Sequence, residues 1–160
     1  MKRKITPMLW FDNQAEEAMK FYTSVFKNSK AGSVSRYPEG SPMPAGTAMT
    51  ATFELEGQDF IALNAGPIFK FNEAISFVID CKDQYEVDYY WEKLTADGGQ
   101  ESQCGWLKDK FGLSWQVTPS VMSQLITGGG DPKRASRVMQ AMLTMKKLDI
   151  AKLQSAYDGK

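Results

Sequence analysis

The chain has 160 residues, 42% of them hydrophobic and 24% charged, which is ordinary composition for one globular domain. Nineteen Lys and Arg balance nineteen Asp and Glu, so no net basic field draws the chain to nucleic acid or to an anionic membrane. No apolar run approaches the ~20 residues of a membrane span, there is no histidine, and Cys81 and Cys104 make no disulfide framework.

The basic start, Met1-Lys2-Arg3-Lys4, is not followed by an apolar signal-peptide core, and the expected location is cytoplasmic. Ile5 to Phe11 reads as a strand, and Asn13 with Glu16 fits a helix capping box. Ala15, Ala18, Met19, Tyr22, Val25 and Phe26 recur at helical spacing and predict a buried face. Ser33 to Tyr37 is a short strand candidate, and the Pro- and Gly-rich stretch from Pro38 to Gly46 is a loop. Thr47 to Leu55 and Gln58 to Asn64 read as a hairpin about Glu56-Gly57.

The pattern then repeats. Phe71 to Asp80 reads as a largely buried strand, and a helix follows from Gln84 to Ala96 with Asp83 as N-cap and Glu86 three residues on. Val87, Tyr90, Trp91 and Leu94 are its predicted buried face. Leu9-Trp10-Phe11-Asp12 and Phe77-Val78-Ile79-Asp80 register 68 residues apart, as do Phe21-Tyr22 and Tyr89-Tyr90. The chain therefore reads as a duplicated module. A short strand near Gln100 to Cys104, a turn-rich connection from Gly105 to Gly112, a strand from Leu113 to Thr118 and a helix from Ser120 to Ile126 complete the second copy. Gly128-Gly129-Gly130 reads as a hinge. Asp131-Pro132 starts a tail helix with an apolar stripe of Ala135, Val138, Met139, Met142 and Met145, and a second tail helix starts near Asp149.

Two such modules resemble the vicinal oxygen chelate superfamily of glyoxalases, ring-cleaving dioxygenases and antibiotic-resistance proteins. Within it the chain is similar to the PhnB-like family, often labelled 3-demethylubiquinone-9 3-methyltransferase. Ile5-Thr6-Pro7, Leu9-Trp10-Phe11-Asp12 and Ala62-Leu63-Asn64 carry the likeness in the first copy. Phe69 to Phe77, Gln103-Cys104-Gly105-Trp106-Leu107-Lys108-Asp109, Phe111 to Val117 and Met139-Gln140-Ala141-Met142 carry it in the second. The resemblance implies an α+β fold of two βαβββ modules, about 5–65 and 72–118. Their curled mixed sheets would surround a cavity in a homodimer, forming one domain over 1–130 with a helical tail over 131–160.

It also implies places for metal ligands, which here fall on Ile5, the Ala62 to Asn64 segment, Glu73 and Gln116. One carboxylate and one amide are too few for a divalent transition metal, so neither metal nor cofactor is expected. A methyltransferase would need a glycine-rich loop after the first strand, where this chain has Asp12-Asn13-Gln14.

Glu73 is the candidate acid–base residue, with a pKa raised by a buried strand. Gln116 and Asn64 are candidates to orient a ligand's polar groups, and Trp106 and Trp10 to stack on a flat one. Cys104, beside Gly105-Trp106, completes the ligand-binding set. The first functional expectation is a homodimer that binds a small organic molecule, with metal-independent acid–base chemistry at Glu73. The alternatives are a non-enzymatic binding or resistance module, and a metal-dependent lyase or isomerase or the labelled methyltransferase.

Overall fold

The computed structural model describes residues 4–160; the basic start at Met1 to Arg3 lies outside them. The chain divides into two compact units, Met1–Phe71 and Asn72–Lys160. The first holds strand β1 (Met8–Phe11), helix α1 (Ala15–Val25) and strands β2 (Ser29–Arg36), β3 (Ala48–Leu55) and β4 (Gln58–Asn64). Its sheet runs β1-β4-β3-β2, with β1 parallel to β4 and the other pairs antiparallel. The second unit holds β5 (Ser76–Cys81), α2 (Gln84–Thr95), β6 (Gln100–Glu101), β7 (Trp106–Lys108) and β8 (Ser114–Pro119). Its sheet runs β5-β8-β7-β6, with β5 parallel to β8. The same strand order with the same sense is what a duplicated module requires.

Side chains alternate across a pleated strand, so each sheet has two faces. In the first unit Leu9, Phe11, Ala51, Phe53, Phe60 and Ala62 are buried. They share a face with α1, whose Ala15, Ala18, Met19, Tyr22 and Val25 are the residues its helical spacing predicts. In the second unit α2 buries Val87, Trp91 and Leu94.

Asp83 caps α2 as expected, accepting from Glu86 N at 2.9 Å, and Glu86 accepts from Lys82 N at 3.0 Å. The capping box expected from Asn13 and Glu16 does not form. Helix α1 begins at Ala15, and Gln14 makes no side-chain cap. Its open N–H is met from across the sheet, because Asn64 Oδ1 accepts from Ala15 N at 2.8 Å and Asn64 Nδ2 donates to Ala48 O at 3.0 Å. A tertiary contact has replaced the local cap.

Two strand boundaries also move. The strand expected from Phe71 starts only at Ser76, after a turn that contains Glu73 and Ala74. The connection expected from Gly105 to Gly112 holds the three-residue strand β7, too short to show a period of two.

The tail completes the second unit. Helices α3 (Met122–Ile126), α4 (Pro132–Leu143) and α5 (Ile150–Asp158) meet in an apolar cluster of Met122, Leu125, Val138, Met145, Leu148 and Leu153. Asp131 and Asp149 cap α4 and α5 by accepting from Lys133 N and Lys152 N. Among the expected stripe residues Val138 and Met145 are buried, whereas Met139 is 40% exposed.

Replacing Asn64 by Ala strands a buried N–H and a buried carbonyl. Urea denaturation should show a loss of about 1–3 kcal/mol, and an unchanged stability would contradict the capping role.

Candidate functional site

On the second sheet the pairing defines which side chains are neighbours. Ser76, Ser114 and Lys108 form one row, and Val78, Gln116 and Trp106 the next, with Asp80 beside Thr118 beyond. All of these share the face that α2 does not cover. The opposite face carries Leu107, Trp115, Val117 and Cys81, all buried. Val78 on the uncovered face is 61% exposed.

A turn built on Asp109 sets this register. Its carboxylate accepts from Phe111 N at 2.9 Å, Leu113 N at 3.1 Å and Trp115 Nε1 at 2.9 Å. Three donors on one buried carboxylate hold the reversal into β8, which brings Gln116 opposite Trp106. Before β7 the chain turns through left-handed backbone at Cys104 (φ 57°) and Gly105 (φ 85°). A Cβ on Gly105 would sit 2.9 Å from Val117 O and 3.0 Å from Leu148 Cδ1, so only glycine fits there. The tail is bonded to this corner: Cys104 N donates to Met145 O at 2.8 Å and Gly105 N to Lys146 O at 2.7 Å. Gln84 ties it from α2, donating to Leu148 O at 3.1 Å and accepting from Ile150 N at 2.9 Å.

Between the uncovered face and the tail lies a cleft of about 620 Å³. Its sheet side is Asp80, Trp106, Gln116 and Thr118; its tail side includes Met122, Ile126, Met142 and Leu148. Such a cleft has apolar walls and a few convergent polar groups, the usual make-up of a small-molecule site.

Three of the residues singled out in the sequence meet here. Gln116, Trp106 and Cys104 line the cleft, and Gln116 Nε2 donates to Ser76 Oγ at 2.9 Å. The Cys104 thiol points at Met142 O, 3.6 Å away. Asn64 and Trp10 belong to the first unit. Asn64 is 4% exposed and both ends of its amide are engaged with backbone. Trp10 Nε1 donates to Gly66 O at 2.8 Å, and its ring packs edge-on against Phe69. Of the tail residues of the cleft only Met142 belongs to the expected apolar stripe, and nothing local says which surface a stripe will meet.

Glu73 departs from expectation. It stands on an exposed turn, with 62% of its side chain accessible, and it is ion-paired with Lys108. The Lys108 ammonium, by hydrogen bond and by charge, holds the Glu73 carboxyl below its ordinary value rather than above it. Glu73 thus stands on the surface rather than in a buried strand, and its pKa moves in the direction opposite to the one expected. The pair's small stabilising effect is present above the ordinary carboxylate pKa and fades as the pH falls through the lowered one.

The metal places implied by the fold do not suit a metal in this chain. Ile5 has no donor atom, Asn64 is engaged with backbone, Gln116 is a neutral amide bonded to Ser76, and Glu73 is paired with Lys108. Among the described residues no three His, Cys, Asp or Glu side chains gather where they could hold a metal ion. An S-adenosylmethionine site of the glycine-loop kind does not fit either. The turn after β1 has no glycine, and the helix start that follows it is occupied by Asn64.

The family model described as 3-demethylubiquinone-9 3-methyltransferase matches residues 3–118. A solved PhnB protein from Bacillus cereus shares 40% identity and a TM-score of 0.67 over 73% of this chain and 99% of its own. A Pseudomonas aeruginosa protein of 19% identity and TM-score 0.61 covers 74% of this chain and 98% of its own. The fosfomycin resistance protein FosX of Listeria monocytogenes, solved with Mn(II) and sulfate, has 14% identity and a TM-score of 0.52 over 79% of this chain and 97% of its own. The last two share the fold. No curated protein matches the chain. The family match ends at Thr118, just before the tail that walls the cleft.

On the covered face, burial pushes the Cys81 thiol up to about 12, with Glu86, Asp80 and Asp83 adding to the shift. The thiolate is the reactive form. Iodoacetamide at pH 8 should leave Cys81 unmodified in the native protein and label it in denaturant. Native labelling of Cys81, read by peptide mass spectrometry, would contradict this placement.

Proposed function

The chain belongs to the 3-demethylubiquinone-9 3-methyltransferase family, PhnB type, within the vicinal oxygen chelate superfamily, and from that premise we propose that it is a small-molecule-binding protein whose ligand occupies the cleft on the uncovered face of the second sheet. The observation that carries this reading is the joining of Trp106, Gln116 and Thr118 with an apolar wall from the tail. Trp106 offers a flat ring to stack on, Gln116 and Thr118 offer donors and acceptors, and Met122, Ile126 and Met142 exclude water. Methionine adapts its shape to irregular apolar ligands. The side chains lining the cleft that carry formal charge reduce to Asp80. Binding, rather than chemical transformation, is the activity this arrangement serves. The family label does not supply a methyl-transfer step here, because the residues do not fit the cofactor.

We also propose that the protein is a homodimer. Each unit leaves one sheet face without a helix, and large apolar side chains stand exposed in both: Ile5, Met8, Ile68 and Phe69 in the first, Ile75 and Val78 in the second. A second copy of the chain would cover these side chains, and superfamily members are commonly dimeric.

Titration with 1-naphthol, followed by intrinsic fluorescence, should give saturable binding. Trp106→Ala should weaken it by about 0.5–1.5 kcal/mol beyond the lost contact area, whereas Trp10→Ala should leave the cleft intact. Native mass spectrometry should show a dimer that Val78→Glu dissociates. Absence of saturable binding by the native protein would overturn the ligand-binding reading.

A further inference from the structure

Next to the cleft, the row Ser76, Ser114 and Lys108 has a feature that the packing leaves unexplained. Ser114 is 1% exposed, and its Oγ finds no hydrogen-bond partner among the described residues. Leaving a buried hydroxyl unmet is unfavourable, and such groups are rare in native proteins. Its strand neighbour on one side is Lys108 and on the other Ser76, whose own Oγ accepts from Gln116 of the cleft. Ser114 and Lys108 are thus paired across the strands on one face, one residue pair away from the Trp106 row.

The ammonium already holds a carboxylate, that of Glu73. Glu73 comes from the turn ahead of β5 rather than from the sheet, and its side chain is 62% exposed. It can swing away into water at small cost, since an exposed ion pair is weak. We propose that Lys108 and Ser114 form a carboxylate-binding subsite that adjoins the cleft, and that Glu73 is an internal stand-in which a ligand's carboxylate displaces as the Ser114 hydroxyl is uncovered. This rests on the ligand-binding reading above and adds the ligand's chemical class. In the bound state one carboxylate oxygen meets Lys108 Nζ and the other accepts the Ser114 hydroxyl. Successive same-face positions along a strand are about 6.5–7 Å apart. A carboxylate at Lys108 thus places a directly attached aromatic ring beside Trp106 and Gln116. Asp80, at the far end of the cleft, disfavours the reverse orientation of an anion. The class is a small, flat monocarboxylate with its acid group on the ring.

The test compares 1-naphthoate with 1-naphthamide, equal in shape and different in charge, by isothermal titration against the full chain. Native protein should prefer the naphthoate by about tenfold or more, the scale of a hydrogen bond to a charged group. Lys108→Met should reduce that ratio to near one. Ser114→Ala, a small change expected to fold normally, should weaken naphthoate binding selectively. Glu73→Gln should tighten naphthoate binding by about two- to fivefold, because it removes the internal competitor. A tightening in Glu73→Gln is the opposite of what loss of a catalytic or ligand-holding carboxylate would give. Equal affinity for the two probes, or weakened naphthoate binding in Glu73→Gln, overturns the subsite and leaves the ligand-binding reading standing. Binding of neither probe overturns both.

Discussion

A four-stranded sheet has two faces, and each module of this chain supplies one helix to cover them. That constraint governs the rest of the structure. Helices α1 and α2 bury the faces that carry Phe53 and Phe60 in the first unit and Trp115 and Val117 in the second. The other faces have to meet a ligand, a second chain or water. In the second unit the chain partly answers this itself. Its tail folds back through the Cys104–Gly105 corner and walls off a cleft in front of Trp106 and Gln116.

The tail lies beyond the stretch that the family model matches. The family match ends at Thr118, and the Bacillus cereus structure spans 73% of this chain while using 99% of its own length. The site is thus a composite. The sheet contributes Trp106, Gln116 and Thr118, and the chain after it contributes Met122 and Ile126 from α3, Met142 from α4 and Leu148. Two features anchor the tail: a glycine at 105 that no other residue could replace, and the two-way amide bridge from Gln84.

Much of the architecture was legible in the sequence because it rests on periodicity and local chemistry. The helix faces, the Asp83 cap, the β3–β4 hairpin and the 68-residue repeat all follow from spacing alone. What was not legible depends on distant partners. Asn64 reads as a ligand group by residue type, yet it is the cap of α1, 49 positions away in sequence. Glu73 sits in a run that reads as strand, but the β-branched signal comes from residues after it, and the chain turns before Ser76. Its carboxylate then lies on the surface, where Lys108 lowers the pKa that burial was expected to raise. Trp106, Gln116 and Cys104, singled out by residue type, lie along one cleft. Ser114 was not singled out, because a serine on a strand looks ordinary until its hydroxyl is found buried without a partner.

The claim that binding takes place on the uncovered face of the second sheet can be read at individual tryptophans. Three of the four indole N–H groups are engaged within the fold: Trp10 with Gly66, Trp91 with Glu101 and Trp115 with Asp109. Trp106 lines the cleft. In a proton–nitrogen correlation spectrum each indole gives its own signal, assignable by single Trp→Phe substitution. Titration with 1-naphthoate should shift the Trp106 signal most, with those of Trp91, on α2, and Trp115, on the covered face, nearly still. A Trp106 signal that stays in place while the probe binds would contradict the account.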